Sequence, residues 1–273
     1  VNPMAKLSLY LFSAALITLV VSFGCYLFYT WRHKATVGGI ASMFVWLGAV
    51  FLAGAWISRW VAVGHAPYSN MYEYSMSFAL GAVVSYAIFE RRYQARSLGV
   101  VVVPVAIGLL AYATTIPSTI EPLVPALQNQ ELLTIHVAMA IISYGVFAVA
   151  FGAAVMQLIQ GPKNRFAFLP TAATLEQVSF RAVVVGFPFF AMLLVLGAYW
   201  GNIAWGRYWA WDPKETSALV TWLIYAAYLH TRNLSGWRGG RSAVLLIVGF
   251  VAVLFTYFAV NLWIVGLHSY AGV

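Results

Sequence analysis

The residues best suited to chemistry lie between positions 200 and 216, where the chain reads Trp200-Gly-Asn-Ile-Ala-Trp205-Gly-Arg207-Tyr-Trp209-Ala-Trp211-Asp212-Pro-Lys214-Glu215-Thr. Four of the 11 tryptophans are gathered here. Scattered rings such as Trp31, Trp46, Trp56 and Trp60 suit the belt that Trp and Tyr form at membrane interfaces. A cluster interleaved with Gly201 and Gly206 is more than a belt requires. Flat rings can stack on a ligand face, glycine lets backbone approach closely, and Arg207 and Lys214 can pair with carboxylates. That combination suits a flat apolar ligand with acidic groups, and a porphyrin with two propionates has that shape and charge. Asp212 and Glu215 also have a local explanation. Asp at the N-cap, Pro213 at the first helical position and Glu at the third form a capping box, and Asn70 and Glu73 repeat the spacing.

Neutral imidazole can fill either axial position of a haem iron, which makes the five histidines, at 33, 65, 136, 230 and 268, the candidate ligands. The single cysteine, Cys25, sits in an apolar run and permits no intramolecular disulfide, Cys-x-x-Cys pair or cysteine zinc site. It reads as a small buried hydrophobe. No nucleophile or acid–base pair of the conventional kind stands out, so no catalytic residue is assigned.

The elements that must position these residues follow from composition. Of 273 residues, 63% are hydrophobic and 8% charged, against roughly 25% charged in a soluble domain. The chain reads as an all-α polytopic membrane protein with one domain over 1–273, and no soluble catalytic domain fits in the remainder. Apolar runs of the length needed to cross a bilayer predict eight transmembrane helices near 8–30, 38–60, 71–89, 98–114, 132–160, 182–200, 216–231 and 242–263. The first lacks a small-residue cleavage site and is read as a retained helix. The net charge of +8 sorts by loop. Arg32, Lys34, Arg91, Arg92, Arg96, Lys163, Arg165, Arg181, Arg232, Arg238 and Arg241 fall in alternate connections, leaving Lys6, Arg59, Arg207 and Lys214 for the opposite set. By the positive-inside rule both termini and the tryptophan loop, which joins helices six and seven, lie outside. The charge therefore reads as topology, with membrane lipid as the surroundings and no nucleic-acid partner.

His65, His136 and His268 then lie at or near the outer face. His136 opens helix five and His268 follows helix eight, so the two flank the tryptophan loop in sequence and share its side, which permits a bis-histidine site. His230 comes fourteen residues after Thr216, about 21 Å deeper at 1.5 Å per residue. An ionisable group there is a functional candidate, with snorkelling to the inner interface as the competing explanation. His33, in a Trp-Arg-His-Lys cluster, reads as structural, and the role of His65 stays open between supporting the haem ligands from behind and a structural placement.

The stretch from Trp200 to Asp212 resembles the tryptophan-rich WWD signature of the haem-handling proteins of cytochrome c biogenesis. Its continuation through Tyr228-Leu229-His230-Thr231-Arg232, and the segment Gly64-His65-Ala66-Pro67-Tyr68-Ser69-Asn70-Met71-Tyr72-Glu73, are similar to the CcsA/ResC branch of system II. The resemblance implies that His136 and His268 are external axial ligands of haem b. It implies that His230 is a transmembrane histidine that meets haem on entry, completed by a histidine from a ResB/CcsB-type partner. Haem would then be presented at His136, His268, Trp200, Trp205, Trp209 and Trp211, with Asp212, Arg207 and Lys214 beside them, for thioether attachment to a Cys-x-x-Cys-His apocytochrome c. The chain would be one component of a holocytochrome c synthase, expected in a bacterial cytoplasmic membrane ahead of a thylakoid one. A haem exporter without ligation activity and a cytochrome b-type electron-transfer subunit are the alternatives. The second places paired histidines on single helices, and no predicted helix here carries two.

Overall fold

Where charges are sparse over twenty or more residues, a chain in lipid has to satisfy its backbone groups within the segment, and the helix does so. The computed structural model describes residues 2–120, 129–234, 236–264 and 266. Eight long helices account for most of them: α1 (Pro3–Arg32), α2 (Ala35–Val63), α3 (Met71–Tyr93), α4 (Gly99–Thr114), α5 (Gln130–Gln160), α6 (Ala172–Trp205), α7 (Pro213–Leu234) and α8 (Gly240–Leu254). A 3₁₀ turn, Arg96–Leu98, leads into α4. Six of the eight apolar runs read from the sequence fall within one of these helices, the run 98–114 begins in the 3₁₀ turn, and the run 242–263 extends beyond α8. The ends are set by local chemistry that hydropathy does not register. Asn2, Asn70, Asn129 and Thr171 accept the first free N–H groups of α1, α3, α5 and α6, which carries α6 a full ten residues ahead of its apolar run.

Six of the helical segments are long and apolar enough to cross a membrane, namely α1, α2, Arg96–Thr114, α5, α6 and Gly240–Ala259. The other two, α3 and α7, have 23 and 22 residues and are more polar. In α3 the reason is visible, because Glu73, Ser75, Ser77, Ser85 and Glu90 are all buried within the bundle. The last helix also departs from a single run over 242–263. After Leu254 it widens into a π-helical stretch, Phe255–Ala259, followed by one turn, Val260–Leu262.

The hairpin α1–α2 packs on α3 and α4, and α5 runs through the middle against α3, α4, α6 and α8, with α7 beside α6 and α8. The α3–α5 crossing is close because Gly81 faces Gly145, and a β-carbon at Gly145 would overlap the Gly81 carbonyl. Two buried carboxylates on α3 fasten the hairpin. At the end that carries the tryptophan loop, Arg59 Nε donates to Glu73 Oε1 at 2.8 Å with both side chains 1% exposed. Arg59 also donates to the carbonyls of Ser118 and Thr119, so this buried pair has the additional hydrogen bonds that offset desolvation. At the opposite end Glu90 accepts from the hydroxyls of Tyr26 and Ser42.

Candidate functional site

Helix α6 continues through Trp200 to Trp205 and stops at Gly206, whose φ of 72° closes the helix with its N–H on the Asn202 carbonyl. Trp200 is 2% exposed. His136, in the second turn of α5, lies across from it with the two rings stacked at 6.1 Å and 24°. The imidazole reaches α6 because residue 197 is glycine. A β-carbon there would sit 2.9 Å from His136 Cε1. Trp205 meets Trp200 edge-on at 5.0 Å, while Ala66 and Tyr68 from the α2–α3 connection and Leu133 and Val137 from α5 complete a small core around Trp200.

From Trp209 the chain makes the turn that opens α7. Trp209 and Trp211 stand perpendicular at 5.8 Å, and Trp211 takes a left-handed φ of 57° with 69% of its surface exposed. Asp212 Oδ2 accepts from Lys214 N at 3.0 Å, and Glu215 Oε2 accepts from Ala210 N and Asp212 N at 2.8 and 3.2 Å. This is the reciprocal capping box expected from the spacing. It turns Lys214 toward the segment beyond α8, where Nζ donates to Asn261 Oδ1 at 2.8 Å. Burial lowers the Lys214 pKa to about 8, against the opposing charge of Asp212.

These pieces enclose a pocket with ≈ 1030 Å³ of atom-free space, part of it open to the surroundings. Its walls are Tyr74 and Phe78 of α3, His136, Ala140 and Tyr144 of α5, Leu193 and Gly197 of α6, Trp209, Lys214 and Glu215 of the turn, and Tyr257 and Asn261 beyond α8. An apolar, aromatic concavity with a few convergent polar groups is the usual form of a cofactor-sized site. One imidazole, flat indole walls and one ammonium are what a metal-bearing, carboxylated macrocycle would use.

The structure thus brings His136, Trp200, Trp209 and Lys214 to one cavity. Trp205 supports Trp200 from outside the lining, Asp212 is buried as the cap, and Arg207 and Trp211 are exposed beside the turn. His230 is not brought to the cavity. It is exposed in the last turns of α7, on a face shared with the exposed Val220 and Leu223. His268 lies outside the described residues. His65 holds Nδ1 2.9 Å from the Ala66 carbonyl, and His33 closes α1 in a left-handed conformation. Asn261, Tyr257, Tyr144 and Tyr74 were not singled out from sequence. A lone amide in the apolar run 242–263 was the available signal for Asn261, since polar groups at membrane depth are rarely idle. Arg59, the lone charge in the run 38–60, carried the same signal.

Residues 68–268 match the family described as "Cytochrome C assembly protein". The chain is 34% identical to the cytochrome c biogenesis protein CcsA of Microcystis aeruginosa, over 85% of this chain and 87% of that one. It is also 34% identical to CcsA of Prochlorococcus marinus, over 98% of this chain and 95% of that one. Among solved structures it resembles the cytochrome c haem lyase CcmF, with a TM-score of 0.74 and 18% identity, over 94% of this chain and 47% of that one. That likeness is one of fold, and this chain spans about half the length of CcmF.

Proposed function

The chain belongs to the CcsA family of cytochrome c assembly proteins and takes part in cytochrome c maturation, and on that premise we propose that it binds haem b in the cavity beside His136 and presents it for attachment to an apocytochrome c. The observation that carries this reading is the cavity itself, in which His136 stands stacked on Trp200 with Trp209 and Lys214 in the same wall. His136 would supply one axial nitrogen and His268, after α8, the other. Trp200 and Trp209, with Trp205 and Trp211 supporting and flanking them, would hold the ring. Lys214 in the wall and Arg207 at the exposed turn would meet the propionates, and Asp212 would keep the turn in shape. Strong axial imidazoles and burial favour a low-spin iron. The protein's contribution to thioether formation would be proximity and orientation, with the thiols coming from the Cys-x-x-Cys-His substrate.

Eight crossings with both termini on the side of the tryptophan loop complete the proposal, α3 and α7 crossing with their polar residues turned inward. The exposed His230 would be half of an entry site at the other end of α7, completed by a ResB/CcsB-type partner, and a bacterial cytoplasmic membrane is the proposed location. The test is a reduced-minus-oxidised absorption spectrum of the detergent-purified protein, with and without that partner, beside His136→Ala and His268→Ala. The expected result is a low-spin bis-histidine spectrum that weakens in each variant and returns with added imidazole. Unchanged haem content in both variants would overturn the ligand assignment.

A further inference from the structure

The buried pair of Arg59 and Glu73 lies one residue from Tyr74 of the cavity wall, yet ligand binding by itself does not call on it. A buried ion pair is a poor fastener, since apolar side chains of similar volume often hold helices together as well or better. What it adds is direction. Glu73 Oε1 accepts from Arg59 Nε at 2.8 Å, and its Oε2 accepts from Ser69 N at 2.7 Å. The second bond closes the turn that carries Tyr68, a ring only 3% exposed. Tyr68 is stacked on Tyr74 at 6.1 Å and 14°, leans on Trp56 at 6.0 Å and packs in the small core around Trp200. Trp56 is itself held, because its Nε1 donates to Ser77 Oγ at 3.0 Å and Ser77 Oγ donates to the Glu73 carbonyl at 2.8 Å. Trp56 and Arg59 on α2, and Glu73 and Ser77 on α3, are each neighbours on one helix face. Both pairs close on the same turn.

We infer that Arg59 and Glu73 are positioning residues for the haem cavity, the carboxylate fixing Ser69 and so seating Tyr68 against Trp200, the indole on which His136 stacks. The inference rests on the reading of His136 as an axial ligand. Partners behind a metal ligand commonly fix its orientation, and here the support reaches the imidazole through two close-packed rings. A carboxylate suits the task because its two oxygens can accept from a guanidinium and an amide together. The guanidinium keeps the carboxylate in place through its own bonds to the Ser118 and Thr119 carbonyls at 2.7 and 3.0 Å. An apolar pair could fill the same space and would leave the Ser69 amide unheld. Glu90 provides the contrast, since it fastens α1 and α2 to α3 from the opposite end and has no contact with this turn.

Arg59→Met combined with Glu73→Met removes the bonds and fills the space, Tyr68→Ala removes the seat and leaves the pair, and Glu90→Gln alters the other buried carboxylate. These variants, the triple variant Arg59→Met, Glu73→Met, Tyr68→Ala and the unaltered full chain would be compared in two ways. The first is backbone hydrogen exchange at Ser69 in haem-free protein. The second is the Kd for haem b and the spin state of the bound iron. In the double variant exchange at Ser69 should accelerate by about tenfold or more, the factor set by losing a bond to a charged acceptor. Its Kd should rise by about tenfold, with a high-spin species appearing. Tyr68→Ala should raise Kd at least as far, and the triple variant should bind no more weakly than Tyr68→Ala, because groups acting through one contact are not additive. Glu90→Gln should leave Kd and spin state unchanged, which a merely structural role for both carboxylates would not allow. Unchanged Ser69 exchange in the double variant would overturn the hold on the turn, and faster exchange with unchanged Kd and spin state would overturn its link to the ligand. Additive losses in the triple variant, or an unchanged Kd in Tyr68→Ala, would overturn the route through Tyr68. An equal rise in Kd in Glu90→Gln would reduce the pair to a fastener. If the unaltered protein takes up no haem, the haem-binding reading fails, and the inference falls with it whatever the exchange data show.

Discussion

His136 and His230 are the same side chain in opposite circumstances. The first is packed between two helices, stacked on a buried indole, seated over a glycine and turned into a cavity with aromatic walls. The second is exposed near the far end of α7, in line with the exposed apolar side chains Val220 and Leu223. The difference shows what a single chain can finish. Around His136 the orienting contacts come from Trp200 and Gly197 of this chain's α6, whereas the face that carries His230 is exposed. A histidine on an open helix face has little to hold its ring in one direction, so any demanding ligand geometry there would have to be imposed by something that covers it.

The comparison breaks most sharply at His136. His136→Ala should lower haem occupancy by about tenfold or more, since even the outer partners of metal ligands are worth about 10–100-fold. Imidazole should recover much of it, because the substitution leaves room for the missing ring. Equal haem in His136→Ala and the unaltered protein would remove the distinction between the two histidines. The next effect in size tests the packing behind it. Trp200→Ala empties a buried indole site and should cost about 3–5 kcal/mol, read as a large fall in thermal midpoint, while the exposed Trp211→Ala should change stability by about 0.5 kcal/mol or less. Two tryptophans of one loop would then separate into a structural one and a surface one.

The sequence made the tryptophan loop legible because its information is local. Asp212 and Glu215 sit three apart, so their capping box is written in the spacing, and the structure contains it. The eight apolar runs mark helices for the same reason, hydropathy being a property of a window. Contacts between distant residues left no such trace. Arg59 reads as a stray charge until α2 and α3 pack and set it on Glu73. Asn261 reads as one amide in an apolar run until the widened end of α8 brings it to Lys214. The tyrosines of the cavity wall are indistinguishable by type from the many others in the chain. Helix ends moved for a further reason, as the caps at Thr171 and Asn129 lie outside the apolar runs they terminate.

A finer contrast lies in charge. Burial holds Lys214 down to about 8, so below that pH it is an ammonium in the empty site, and above it the empty site carries a neutral amine. A bound propionate would favour the charged form and raise the pKa. Binding then takes up a proton above pH 8, and affinity should be level between about pH 7 and 8, above the ordinary range of histidine protonation, and fall above that window by up to about tenfold per pH unit. Lys214→Met should bind more weakly at pH 7 and lose this alkaline fall. A titration by absorbance at several pH values checks both, and an unchanged slope in the variant would assign the propionate contact to Arg207 or to solvent.

The smallest expected effect concerns His230 in the isolated chain. It is exposed, and substitution of an exposed side chain away from packing features moves stability by no more than about 0.5 kcal/mol. His230→Ala should therefore leave the thermal midpoint, and the spectrum of haem at the cavity, where they were. The asymmetry would appear only when the proposed partner is present, as loss of a second haem population while the His136 signal persists. If His230→Ala instead removed the cavity signal from the isolated chain, the two histidines would be serving one site through the length of α7. The open face would then be an approach to the cavity along this chain alone.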